Sequence, residues 1–198
     1  MMSQTHVLMA SAILAKPGST LRNTAVIVGA IVPDLAIYGL LLWSKLRGIP
    51  EATVWNELYW KEPWQTYTAA GNSIPLYAIT LVLGLIILRA APGMFRIGLF
   101  ALFLGLAALI HIAGDLPVHV ADAHRHLWPI SDWKFVSPVS YWDPNHHGRS
   151  FMLFEAILGI SLSALLFTRF KSWLVRVIIL TCVVAYIAVP TYFIWQLG

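Results

Sequence analysis

The stretch TAVIVGAIVPDLAIYGLLLW, Thr24–Trp43, decides the fold. It carries one charged side chain, Asp34, directly after one proline, Pro33. A helix rising about 1.5 Å per residue needs about 20 apolar residues to cross the roughly 30 Å hydrocarbon layer, which this run supplies. A charge near the bilayer centre costs about 3 kcal/mol or more, so a carboxylate there faces a cavity or a partner. The run therefore reads as a membrane span (about residues 24–44) with a polar site in it.

Further apolar runs cover approximately 73–89, 97–116, 151–169 and 173–195. Of the 198 residues, 59% are hydrophobic and only 11% charged, where a soluble domain carries about a quarter charged. The fold class is all-α: one polytopic membrane bundle over residues 1–198, with about five transmembrane helices. The segment His6–Ala15 is apolar but too short to span. No Lys or Arg precedes it, unlike a signal peptide. It reads as a short inserted helix with Ser3 or Thr5 as N-cap and Pro17-Gly18 as its stop. The run VWNELYWKEPWQTY, Val54–Tyr67, reads as an amphipathic interfacial helix that ends before Pro63. The net charge of +4 is scattered between apolar segments, so no nucleic-acid partner is expected. Cys182 is the single cysteine, which excludes an intramolecular disulfide.

Charge placement predicts orientation. The short connections 16–22, 89–96 and 169–176 carry Lys16, Arg22, Arg89, Arg96, Arg169, Lys171 and Arg176 and no acid. The positive-inside rule puts these in the cytoplasm and the long loops 45–72 and 117–150 outside. Trp43, Trp55, Trp60, Trp64, Trp128, Trp133, Trp142 and Trp195 then fall on the external side, where such rings settle at headgroup level.

The sequence HIAGD places His111 and Asp115 one helical turn apart on one face at the external end of the third span. Imidazole and carboxylate at that spacing suit one ion. At about 1.5 Å per residue, Asp34 lies roughly 18 Å above Arg22 and His6 about 15 Å above Lys16. By the same measure His111 lies about 22 Å above Arg96, and Glu155 about 20 Å above the inner side. Four helices thus bring His6, Asp34, His111 and Glu155 to similar depth. His119 continues the four-residue spacing beyond Pro117, which interrupts the helix and leaves its direction open. The external loop adds His124, His126, Asp143, His146, His147 and Arg149. On a helix, His124 and His126 would point to different faces, and they are expected to be solvated. Asp143, in a D-P-N turn, is expected to cap a helix.

An early histidine (His6), Pro33-Asp34 inside the first span, and His111 with Asp115 at a later helix end carry a resemblance. The pattern resembles the bacterial inner-membrane metal-dependent hydrolases, also described as LexA-binding, inner membrane-associated hydrolases. It is more distantly similar to zinc-dependent phospholipase C enzymes. The resemblance covers roughly the first 120 residues. It implies a bacterial inner-membrane protein with a divalent metal, zinc, at the site. The family usually carries an H-R-G-x-T-H-S stretch between its first two spans. Here the comparable place reads AGNSIPLY, Ala70–Tyr77, without histidine; His119, His146 and His147 are the candidates to replace it.

The expected function is hydrolysis of an ester or phosphoester at the external membrane face. His6, Asp34, His111 and Asp115 are the expected metal ligands. Glu155 or His147 is the expected general acid or base, and Arg149 the clamp for an anionic group. The bilayer and a lipid or small-molecule substrate are the expected partners, with the oligomeric state open. The alternative is a non-enzymatic site for protons, a small ligand or a structural ion. HExxH is absent, which argues against a zincin-type protease.

Overall fold

The computed structural model describes the backbone of residues 1–197 and the side chains of residues 1–189 and 191. The expectation for Trp195 falls outside the described side chains. Nine helices account for the described fold, and no strand forms among the described residues. They are α1 (Ser3–Leu14), α2 (Thr20–Ile31), α3 (Leu35–Leu46), α4 (Glu51–Asn56), α5 (Trp64–Gly71), α6 (Ile74–Ala90), α7 (Phe95–Asp115), α8 (Gly148–Arg169) and α9 (Trp173–Leu197).

Four stretches are long and apolar enough to cross a membrane: Thr20–Leu46, Trp64–Ala90, Pro92–Val118 and Gly148–Arg169. The chain is thus a multi-pass helical membrane bundle, to which α9 adds a further apolar helix. Outward-facing Leu42, Ile79, Val82, Ile86, Leu153 and Ile157 are exposed, as a lipid-facing surface requires.

Two of these stretches are broken helices, and the breaks meet. Pro33 lacks an N–H and interrupts the ladder, so α2 passes into α3 through a 3-10 turn at Val32–Asp34. The second stretch breaks at Asn72–Ser73, where the Ser73 side chain caps α6 by accepting from the Leu76 N–H. Asn72 Nδ2 donates to the Pro33 carbonyl at 3.3 Å. Gly71 permits that crossing, since a Cβ there would lie 2.7 Å from the Pro33 oxygen.

The second span begins earlier than its apolar run suggests, because α5 packs Trp64 at a tilt against Trp43 of α3 (5.8 Å between rings, planes 49° apart) and leads into α6. The expected interfacial segment accordingly divides. Its first part is α4 with a 3-10 turn at Leu58–Trp60, which buries Val54 and Tyr59 and exposes Trp55 and Trp60.

Helix α1 lies inside the bundle, packed on α2, α7 and α8. Its Ala10 joins Val26, Ala30 and Ala107 in one apolar cluster, and its Leu8 joins Leu166, Ile179 and Tyr186 in another. Ala10, Ala30 and Ala107 in the first cluster let the helices approach closely, the usual basis of packing in a bilayer. The stop signal acts as expected, with α1 ending before Pro17-Gly18. Neither Ser3 nor Thr5 caps its start: both lie within the helix, and Met2 is the N-cap without a side-chain bond. The reason is that the Ser3 hydroxyl donates to Asp34 and that of Thr5 pairs with Tyr186.

The long loop between α7 and α8 closes over one end of the bundle. The Ser137 hydroxyl donates to the Pro117 carbonyl (2.5 Å), and the Ser137 and Tyr141 N–H groups donate to the His119 and Val118 carbonyls. On the other side, the Ile74 N–H donates to the His126 carbonyl and the Ser73 hydroxyl to that of Trp128.

Candidate metal centre

The polar site lies where α1, α7 and the Pro33 break converge under this loop. His6 and His111 are fully buried and their rings stack, with centroids 3.6 Å apart and planes 14° from parallel. Asp115 sits against both: its Oδ1 is 3.0 Å from His6 Nε2 and its Oδ2 is 3.0 Å from His111 Nε2. Asp34 Oδ1 lies 3.5 Å from the same His111 nitrogen. Its Oδ2 accepts from the Ser3 hydroxyl at 2.6 Å, and Tyr38 donates in turn to Ser3. The Met1 amino group also contacts Asp115.

At His111 the short approaches of Nε2 to the two carboxylates are not hydrogen bonds. His6 Nδ1 and Nε2 and His111 Nε2 are buried and have no hydrogen-bond partner. His111 Nδ1–H donates to the Ala30 carbonyl at 2.7 Å, one turn before the Pro33 break, which leaves Nε2 as the lone-pair nitrogen. That lone pair faces two carboxylates. A lone pair set against carboxylates is unfavourable in a buried site unless a proton or a metal ion lies between them. The Met1 ammonium reaches only Asp115 Oδ1, not the Oδ2 that faces His111. A tetrahedral ion with bonds of about 2.0–2.1 Å holds its donors roughly 3.3 Å apart. The observed spacings of 3.0 and 3.5 Å bracket that value. The residues present therefore fit a divalent cation.

The chain continues past Pro117 through a 3-10 turn at Leu116–Val118, so His119 keeps its direction towards Asp115: Nε2 to Oδ1 is 3.5 Å. His119 Nδ1–H donates to Asp122 Oδ2 at 2.9 Å, which also accepts from the Trp142 indole at 3.1 Å. Burial opposes charge on Asp122, yet the His119 and Trp142 contacts hold its carboxyl down to about 2. His124 and His126 are buried rather than solvated. The loop is irregular there, so the two-residue spacing turns both rings inward, with centroids 5.8 Å apart. His126 Nδ1–H donates to the Asn72 carbonyl at 3.1 Å, seating a histidine on the segment whose sequence has none. Burial, with His119 beside it, holds His124 well below the usual imidazole range, so its ring is neutral near pH 7.

The other expected residues lie elsewhere. Glu155 is buried, and its Oε1 accepts from the Met2 N–H at 2.7 Å, tying α8 to the start of α1. His147 is exposed in the left-handed region (φ 63°) as the N-cap of α8, and Arg149 is exposed on its first turn. Neither shares a hydrogen bond or ion pair with the cluster among the described residues. His146 pairs with Asp143 at 2.8 Å, and Asp143 caps the 3-10 turn at Pro144–His146 by accepting from Asn145 N–H, as expected of a D-P-N turn.

Comparison with known protein families, with curated proteins and with solved structures gives no match.

Proposed function

We propose that this protein is a metal-dependent membrane hydrolase whose divalent cation, zinc by the resemblance of its ligand pattern, is held by His6, His111 and Asp115. The observation that carries the reading is the buried Nε2 lone pair of His111, turned on Asp115 and Asp34 with its own N–H spent on Ala30, beside the unpartnered ring nitrogens of His6. A divalent ion supplies Lewis-acid chemistry, lowering the pKa of water towards 7 and stabilising charge on an ester or phosphoryl oxygen. Asp34 is the more open carboxylate, 15% exposed against 4% for Asp115, and Ser3 fixes its orientation. It takes the proton of the attacking water. Ala30 holds His111 in its ligating tautomer. Glu155 anchors α1, and thereby His6, in place of the acid–base role its depth suggests.

Replacing Asp34 by Asn is expected to lower hydrolysis of a lipid phosphoester by about 100-fold or more, the scale of a general-base contribution, while the helical circular dichroism stays unchanged. Loss of the helical signal together with activity would instead make Asp34 structural.

The contact of the Met1 amino group with Asp115 favours a second reading. In it a fixed positive charge, not a metal, compensates the carboxylate and the cluster is a structural network.

The long loops, including the cap over the site, face the outside of a bacterial inner membrane in this proposal. On a Cys182→Ser background, Ser131→Cys is expected to react with an impermeant maleimide in intact cells, and Ser172→Cys only after lysis. The reverse pattern contradicts the orientation.

A further inference from the structure

Resting on the metal-dependent reading above, we infer that the centre holds two divalent cations bridged by Asp115, the second one held by His119 and His124. The donor atoms fall into two sets that share one residue. Those of His6, His111 and Asp115 lie within 4.8 Å of one another, and so do those of Asp115, His119 and His124. All five residues are buried. Asp115 borders both sets, with Oδ2 towards His111 (3.0 Å) and Oδ1 shared between His6 (3.0 Å) and His119 (3.5 Å). A carboxylate that borders two ligand sets in this way is placed to bridge two ions.

The second set carries its own marks of a ligand site. His119 Nε2 is buried without a hydrogen-bond partner and faces the Asp115 carboxylate. Its other nitrogen donates to Asp122, the carboxylate–histidine support that ligating imidazoles usually have. The same logic operates at the first set through the Ala30 carbonyl. His119 and His124 stand side by side, with ring centroids 4.7 Å apart.

Two ions about 3.5–4 Å apart stabilise both the attacking and the leaving oxygen of an in-line displacement at phosphorus. Charge points the same way. Three carboxylates border the centre (Asp34, Asp115 and Asp122), so two dications leave a surplus of one positive charge for an anionic substrate, to which the Met1 ammonium beside Asp115 adds. The substrate class is therefore a phosphoester, not a neutral carboxylic ester.

The test uses the full chain in detergent, without a polyhistidine tag, stripped with chelator and titrated with Mn²⁺. Bound manganese and the electron paramagnetic resonance spectrum are both read. Wild type is expected to bind two Mn²⁺ per chain with an exchange-coupled spectrum. A His119→Ala/His124→Ala variant and a His6→Ala/His111→Ala variant are each expected to hold one, uncoupled. One ion in wild type, unchanged in the His119→Ala/His124→Ala variant, overturns the second position and leaves the hydrolase reading standing. Two uncoupled ions overturn the bridge. No bound manganese overturns both readings. The wild-type result alone decides the matter if either variant fails to fold.

Discussion

Replacing Asp115 by Asn is expected to abolish metal binding and hydrolysis while the bundle stays folded. A four-ligand zinc site is worth about 10–16 kcal/mol near neutral pH, so one ligand carries on the order of 3 kcal/mol, or about a hundredfold in affinity. Asp115 stands to lose more than that average, because His6, His111 and His119 all approach its oxygens within 3.5 Å. An amide retains the shape and removes the charge. If Asp115 instead serves only as the buried partner of positive charge, removing it strands that charge and costs about 3–5 kcal/mol of stability. Isothermal titration with Zn²⁺ beside thermal unfolding separates the two. Lost binding at unchanged unfolding temperature is the expected result, and lost stability without any prior zinc binding contradicts it.

The second large effect concerns packing. Gly29 of α2 faces the α7 backbone, and a Cβ there would lie 2.3 Å from the Leu104 carbonyl oxygen and 2.9 Å from its Cα. Neither is the movable end of a side chain, so Gly29→Leu must separate the helices that carry Ala30, Asp34 and His111. Overpacking of this kind costs about 3 kcal/mol or more, which corresponds to a fall of roughly 10 °C in unfolding temperature for a chain of this size. Gly39 on α3 provides the contrast. Nothing lies within 4 Å of its missing Cβ, and Gly39→Ala is expected to leave the temperature unchanged or raise it slightly. Equal falls for the two variants would contradict the packing account.

The membrane bundle was legible because hydropathy and length decide it. Four of the spans follow directly from runs of apolar residues. The convergence of His6, Asp34, His111 and Asp115 was legible because helical rise converts sequence separation into depth, and helices of similar span place groups of similar depth together. What that arithmetic misses is what it does not cover. His124 and His126 lie in a loop without a repeating geometry, so nothing in their spacing reveals that a cap folds them inward. The alternation Asp122–His124–His126, set against the four-residue series His111–Asp115–His119, was the available signal. Glu155 shows the opposite limit. It is buried, as a carboxylate at that height along its helix implies, but height does not choose a partner, and the Met2 N–H is the donor it takes. The start of the second span was hidden for another reason: α5 is held by a tilted aromatic contact of Trp64 with Trp43, between residues far apart in sequence.

The central claim is that the buried lone pairs of His6, His111 and Asp115 hold a divalent ion. Metal content by plasma mass spectrometry, on tag-free wild type purified in detergent beside a His111→Ala/Asp115→Ala variant, tests it most directly. The account predicts stoichiometric zinc or another divalent metal in the wild type and none above background in the variant. An equally metal-free wild type, still metal-free after incubation with Zn²⁺ or Mn²⁺, would contradict it and leave a proton-held or amine-held structural network in its place.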